Sequence, residues 1–124
     1  MVQKICLDSD LFIELLRGKN EAYDTIKSYD AEFYITSVNL FEIWYGKKKT
    51  EPIEEALMWI NIMAFDKEAS IKAAEIMLAL KKEGKLIEQR DIFIAAICII
   101  RDLALLTYNN KHFQRMERFG LKLL

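Results

Sequence analysis

Residues 92–100 of this 124-residue chain read Ile-Phe-Ile-Ala-Ala-Ile-Cys-Ile-Ile, without one polar side chain. The run is far shorter than the roughly 20 residues a helix needs to cross a bilayer. A segment apolar on every side has no face for water, so other layers must cover it. Asp91 stands directly before it, as acidic residues do at helix starts. A buried helix over 91–100 is therefore expected, and a chain that buries a whole helix needs packed layers around it.

The rest of the chain supplies them. Residues 2–7 form a short apolar strand, followed by Asp8 and Ser9 as helix-start residues and by a helix over 10–17 that Gly18 ends. A second helix is expected over 21–28. Residues 32–36 alternate, with Phe33 and Ile35 on one face, and predict a strand. Ser37 is read as the cap of a helix running to about residue 45, where Gly46 stops it. Pro52 suits the first turn of a helix to about residue 59, and a further strand is expected over 60–65. Asp66 caps the longest helix, whose stripe is Ala69, Ala73, Ile76, Met77 and Leu80 and whose end is Gly84. Strands follow over 103–107 and 121–124. Strands alternating with helices predict an α/β sandwich around a mostly parallel sheet. Such sheets carry their sites beyond the carboxyl ends of the strands. Asp8, Thr36 with Ser37, and Asn109 all follow strands, so three separate stretches are expected to meet at one edge.

Composition narrows the class. The chain is 52% apolar and 30% charged, which excludes wholesale disorder. One Pro and four Gly leave little for linkers, so residues 1–124 are read as one domain. A formal net charge of -1 gives no broad basic face. Basic residues cluster only locally, at Lys47–Lys48–Lys49, Lys81–Lys82, and Arg115 with Arg118, and their plain reading is solvated helix ends. Cys6 and Cys98 lie in apolar runs without metal-ligand spacing, as buried reduced thiols of a cytosolic protein do. Asp8, Asp10 and Glu14 break any leader-like start. A cytoplasmic protein without a membrane segment is expected.

Three acids stand where the pattern calls for apolar residues. Asp8 ends an apolar strand, Glu42 sits within Leu-Phe-Glu-Ile-Trp-Tyr at 40–45, and Asp91 opens the apolar helix. Each alone has a structural reading: Asp8 and Asp91 as caps, Glu42 as an outward-facing residue, whereas a buried Glu42 needs either a basic partner or a cation to compensate it. Together at one sheet edge they repel one another unless a cation lies among them, and no basic side chain near them in sequence is read as that cation. Oxygen-only ligation points to Mg²⁺ or Mn²⁺ and away from zinc. His112 is the single histidine, so neither a multi-histidine metal site nor a nucleophile–histidine pair can be assembled. Carboxylates holding such an ion, without a Gly-rich phosphate loop, point to phosphodiester hydrolysis by an activated water.

Four blocks in order carry a family resemblance: Ile5-Cys6-Leu7-Asp8-Ser9-Asp10-Leu11-Phe12-Ile13; Thr36-Ser37 through Glu42 to Gly46; Asp91-Ile92-Phe93-Ile94-Ala95-Ala96; and Thr107-Tyr108-Asn109-Asn110-Lys111-His112-Phe113. They resemble the four motifs of the PIN-domain family, and within it the VapC-type toxin ribonucleases. The resemblance implies a three-layer PIN-like sandwich with a central, mostly parallel sheet of four or five strands. It also implies a Mg²⁺ or Mn²⁺ site, an RNA substrate cleaved endonucleolytically, and inhibition by a small cognate antitoxin as one half of a VapBC-like pair. Asp8, Glu42 and Asp91 match the family's acidic triad as metal-binding and catalytic residues, and Ser9 matches the hydroxyl beside the first acid. Asn109 falls on a fourth catalytic position that is often Asp, which removes one negative charge from the site. Asp10 is read as a cap of the first helix, and His112 and Phe113 as structural.

Tyr23, Tyr29, Trp44, Tyr45, Met58 and Trp59 exceed what one small core must hold. Some are expected to line an antitoxin groove and others to form a homodimer contact. Two other readings exist. Asp8-Ser9-Asp10 resembles the opening of haloacid-dehalogenase-type phosphatases, but Phe12 stands where they need a small hydroxyl residue and no downstream Gly-Asp pair occurs. The alternative in another class is a catalytically silent PIN-fold module that binds RNA or protein.

Overall fold

The computed structural model describes residues 2–46, 52–85 and 87–124. Strand β1 (Gln3–Leu7) leads into helices α1 (Ser9–Leu16) and α2 (Asn20–Lys27). Strand β2 (Ala31–Thr36) leads into α3 (Ser37–Tyr45) and α4 (Ile53–Leu57), and β3 (Asn61–Met63) into α5 (Lys67–Lys82) and α6 (Gln89–Arg101). Then come β4 (Ala104–Leu106), the short helix α7 (Asn110–Phe113), a 3₁₀ helix (Gln114–Phe119) and β5 (Lys122–Leu123). The order in the sheet is β3-β2-β1-β4-β5, with every pairing parallel.

Alternation in the strands sorts the core into two apolar layers, because successive side chains leave opposite faces. Ile5, Leu7 and Ile35 join Leu11, Phe12, Leu16, Ile26, Ile43 and Ile53 from helices α1 to α4. Cys6, Tyr34 and Leu105 face the other way, onto Ile76 and Leu80 of α5 and Ile92, Ile94 and Cys98 of α6. Helix α6 is the apolar block at which the sequence begins to constrain the fold. Its residues Ile92, Ile94, Ala95, Ala96, Ile97 and Cys98 are all buried. Burial of each large side chain contributes about 1.5–3 kcal/mol, so this helix anchors one layer. Both cysteines are free and buried.

Helix ends follow local chemistry and correct three sequence readings. Asp8 caps α1, as its capping reading had it, with Oδ1 accepting from the Ser9 backbone N–H at 2.8 Å, whereas Asp10, also read as a cap, lies inside the first turn. Thr36, not Ser37, caps α3: its Oγ1 accepts from Asn39 N–H at 3.1 Å while the Asn39 amide oxygen accepts from Thr36 N–H at 3.0 Å. Ser37 instead accepts from Phe65 N–H at 3.0 Å, tying α3 to the chain beyond β3. Helix α6 starts at Gln89, two residues before the expected Asp91, which therefore lies inside the first turn. Asp66 does cap α5, and Gly84 at φ +69° follows it in the left-handed region that favours glycine. The lysine cluster at 47–49 lies outside the described residues. Among those residues, no helix is long and apolar enough to cross a membrane.

The connectivity places the site. From β1 the chain steps outward to β2 and β3, then crosses over to β4 on the other side of β1. Its direction of winding reverses at β1, where parallel sheets open a crevice beyond their carboxyl ends. Asp8, Thr36 and Thr107 stand just there, and α6 brings its first turn to the same edge.

Candidate active site

Asp8 leaves the end of β1 with a side chain 1% exposed. Its carboxylate is held from all sides. Oδ2 accepts from the Thr107 hydroxyl at 2.7 Å, and Oδ1 accepts from Asn39 Nδ2 at 3.2 Å and Ser9 N–H at 2.8 Å. Glu42, one turn into α3, has Oε1 fixed by the Ser9 hydroxyl at 2.8 Å, and that hydroxyl accepts from Asn39 Nδ2 at 2.9 Å. Asn39 thus orients two of the three acids while completing a helix cap, and it is wholly buried. Asp91 joins from the first turn of α6 with a side chain 4% exposed.

The three carboxylates converge on one cation, the guanidinium of Arg90. Nε donates to Glu42 Oε2, Nη1 to Asp91 Oδ1, and Nη2 to Asp8 Oδ1 at 2.9 Å. Glu42 thus has the basic partner that was one of its two expected compensations, and the expectation that no cationic side chain near the acids in sequence stands in for a metal is corrected. Arg90 adjoins Asp91 in sequence and lies just before the residue expected to open the helix. An arginine set against an acid at the mouth of an apolar helix is the signal that could have revealed it. Electrostatics agree with the geometry. Burial alone lowers the Arg90 pKa, but the carboxylates of Glu42, Asp8 and Asp91 more than reverse this and hold it well above its ordinary value. Burial raises the Asp91 pKa, with the Asp8 charge adding to it and Arg90 opposing.

The other predicted positions stand around this centre. Asn109 is exposed, and its backbone N–H donates to Thr107 Oγ1 at 3.0 Å, one hydrogen bond removed from Asp8. Its amide donates to Asp10 Oδ2 at 3.4 Å. Asp10 also accepts from Tyr108 N–H at 3.1 Å, so it holds the loop after β4 against α1. Burial raises its pKa, and the charge of Asp8 adds to that. His112 Nδ1 lies 3.7 Å from Asp91 Oδ2, with its side chain 61% exposed, whereas Phe113 is fully buried. Asn39 and Thr107 were not read from the sequence as contacts of the acids, although both lie in the blocks that drew notice.

As placed, no three Asp, Glu, His or Cys side chains among the described residues are grouped to hold a metal ion, because the guanidinium stands between the acids. The donor set nevertheless fits a hard divalent ion: all donors are carboxylate oxygens, two of the three acids are nearly fully buried, and together they require positive charge.

Beside this centre, Phe41 and Tyr45 stack on the outer face of α3 at 5.8 Å. With Ser37, Leu40, Trp44 and Leu57 they line an open apolar groove of about 520 Å³. Tyr45 and Met58 are 84% and 86% exposed, so neither belongs to the core.

Residues 5–118 match the family model of the PIN domain. Among curated proteins, the chain is 44% identical to "Ribonuclease VapC1" of Methanocaldococcus jannaschii over 63 residues, which is 51% of this chain and 46% of that protein. It is 33% identical to "Ribonuclease VapC3" of the same organism over 94 residues, 73% of this chain and 94% of that protein. Among solved structures, VapBC2 from Rickettsia felis bound to a DNA fragment from its promoter superposes with a TM-score of 0.85 over 98% of both chains, at 22% identity. That likeness fixes the fold as the three-layer sandwich with a parallel five-stranded sheet. With its acids gathered at the carboxyl edge of that sheet and the family model covering nearly its whole length, the chain belongs to the PIN-domain family.

Proposed function

We propose that this chain is a metal-dependent endoribonuclease and the toxin half of a VapBC-like pair. The observation that carries the reading is the convergence of Asp8, Glu42 and Asp91, from three separate elements, on one cation-demanding point. The names of the VapC relatives, both ribonucleases, supply the chemical class. Asp8, Glu42 and Asp91 would hold Mg²⁺ or Mn²⁺. When bound, such an ion lowers the pKa of water and offsets charge on a phosphate.

The chain's own residues do the positioning. Thr107 fixes Oδ2 of Asp8 and the Ser9 hydroxyl fixes Oε1 of Glu42, while Oδ1 of Asp8, held by Ser9 N–H and Asn39, and Oε2 of Glu42 face the common centre. Asn39 locks Ser9 and Asp8 in those orientations. Asn109 steadies the hydroxyl of Thr107 and brings an amide without charge to the rim. On the side of Asp91, Lys111 and Arg115 line a cavity of about 230 Å³ together with His112 and Glu88, and the two cations offer positive charge to an RNA backbone.

The groove of Phe41, Trp44 and Tyr45 suits an apolar segment of a cognate antitoxin lying next to the acids. Other exposed aromatics, Trp59 among them, suit a second copy of the chain. The test of activity is hydrolysis of a generic RNA by the purified protein with Mn²⁺ and with excess EDTA. Cleavage that requires Mn²⁺ supports the proposal; equal cleavage in EDTA, or none under either condition, overturns it.

A further inference from the structure

We propose that Arg90 is a built-in occupant of the cation site: its guanidinium and the divalent ion compete for the same carboxylate oxygens, so that Arg90 must leave for the metal to enter. The inference rests on the metal-dependent reading above and concerns how the site is gated.

Framework hydrogen bonds hold Oδ2 of Asp8, through Thr107, and Oε1 of Glu42, through Ser9, while Oδ1 of Asp8 accepts from Ser9 N–H and Asn39 Nδ2. The oxygens that face the centre are Oδ1 of Asp8 and Oε2 of Glu42, together with the carboxylate of Asp91. Arg90 takes all of these, Asp91 through Oδ1, with three different nitrogens. A guanidinium presents its donors in a fixed planar fork and keeps its charge at every working pH. It therefore satisfies the triad as a unit and cannot be neutralised to make room. An ion entering the same point must break all three contacts.

Arg90 also has somewhere to go. Its side chain is 28% exposed, against 1% and 4% for Asp8 and Asp91. It borders an open groove of about 700 Å³ formed with Phe41, Phe65 and Phe93. Rotation about its own side-chain bonds moves the guanidinium into that groove while the first turn of α6 keeps Asp91 in place. The acids, by contrast, are held by Thr107, Ser9 and Asn39 and stay. The site is thus arranged so that the cation exchanges and the ligands do not. Without metal, Arg90 spares the fold the repulsion of three gathered carboxylates. The cost is a weakened affinity for the ion, by the amount that binding must spend on breaking the arginine contacts.

The test is Mn²⁺ binding to the full chain by isothermal titration calorimetry, with Arg90→Gln and Arg90→Lys beside the unaltered protein. It is paired with NMR observation of the Arg90 Nε–H in the unaltered protein as Mg²⁺ is added. Arg90→Gln should bind Mn²⁺ at least about tenfold more tightly. Arg90→Lys, which keeps the charge but cannot span three carboxylates, should fall between the two. The Arg90 Nε–H signal should be protected from solvent exchange without metal and lose that protection at saturating Mg²⁺. Equal or weaker Mn²⁺ binding by Arg90→Gln overturns the inference. So does a lysine variant identical to the unaltered protein, which would make Arg90 a nearby charge and not an occupant. An Nε–H signal unmoved at saturating Mg²⁺ overturns it as well, and decides alone if the variants do not fold. If no form binds Mn²⁺, the metal-dependent reading itself fails and this inference falls with it, an outcome distinct from the other three.

Discussion

Asp8 holds more of the site together than any other side chain, accepting from Ser9, Asn39, Arg90 and Thr107. Asp8→Asn keeps the shape but removes the charge and turns one acceptor into a donor. RNA cleavage should fall by at least about a hundredfold, while the far-UV circular dichroism stays that of the unaltered protein. A variant that still cleaves at full rate would remove Asp8 from the chemistry. Asn39 offers a complementary test, because it is buried and serves both the α3 cap and the acids. Asn39→Ala strips hydrogen bonds from Thr36, Ser9 and Asp8 and should lower stability by about 2–3 kcal/mol, read by urea denaturation. The acids were legible in the sequence because a carboxylate in an apolar stretch breaks a pattern. Asn39 and Thr107 were not, since an asparagine or a threonine near a helix end breaks none, and Arg90 was marked only by its place beside Asp91. Their importance lies in pairings across 82, 31 and 99 residues of chain, which no local pattern encodes.

At the level of elements, legibility followed length and periodicity. The long amphipathic α5 and the apolar run of α6 were foreseen, with Ala69, Ala73, Ile76 and Leu80 of the stripe buried and Met77 partly so. The caps separated by one residue. Thr36 beats Ser37 because only its geometry allows the reciprocal bond with Asn39, and threonine and serine are equivalent in a linear reading. Helix α7 and the 3₁₀ helix after it were missed. They are short, carry no periodic stripe, and hold together through the packing of Phe113 and Met116 on the second core layer. Helix α5 carries its own prediction. Asp66 caps it through Ala69 N–H and also pairs with Arg101, and the two together hold its pKa below the ordinary value. A depressed carboxylate stabilises the fold above its unfolded pKa, and that contribution is lost as pH falls through the folded one. Asp66→Asn keeps an oxygen for the cap but loses the pair. Its melting temperature should lie below that of the unaltered protein at pH 7, and the gap should close below about pH 4. A gap that persists unchanged at pH 3 would show that the charge contributes nothing.

Across the whole molecule, topology does what no single element can. Reversal of the winding at β1 sets the ends of β1 and β4 side by side, and a hydrogen bond between Asp8 and Thr107 joins them. Helices on both faces then deliver Glu42 and Asp91 to the same edge. The alternation of strands and helices announced this arrangement. The place of β3 and β5 at the two sheet edges was not announced, since strands of three and two residues are too short to carry a pattern. The outer face of α3 adds a prediction for assembly. Trp44→Ala should weaken inhibition by a cognate antitoxin by about thirtyfold, the loss of one aromatic anchor, as measured by titration of the cleavage reaction. Unchanged inhibition would move the antitoxin away from this groove.

We propose that three carboxylates on this sheet edge form a cation site for hydrolysing RNA with water. Mapping the ends of RNA cleaved by the purified chain tests it most directly. Attack of water on phosphorus with departure of the 3′-oxygen leaves a 5′-phosphate on one fragment and a 3′-hydroxyl on the other. These ends should form with Mn²⁺ and vanish in excess EDTA. Fragments ending in 2′,3′-cyclic phosphate, or cleavage that survives EDTA, would contradict it.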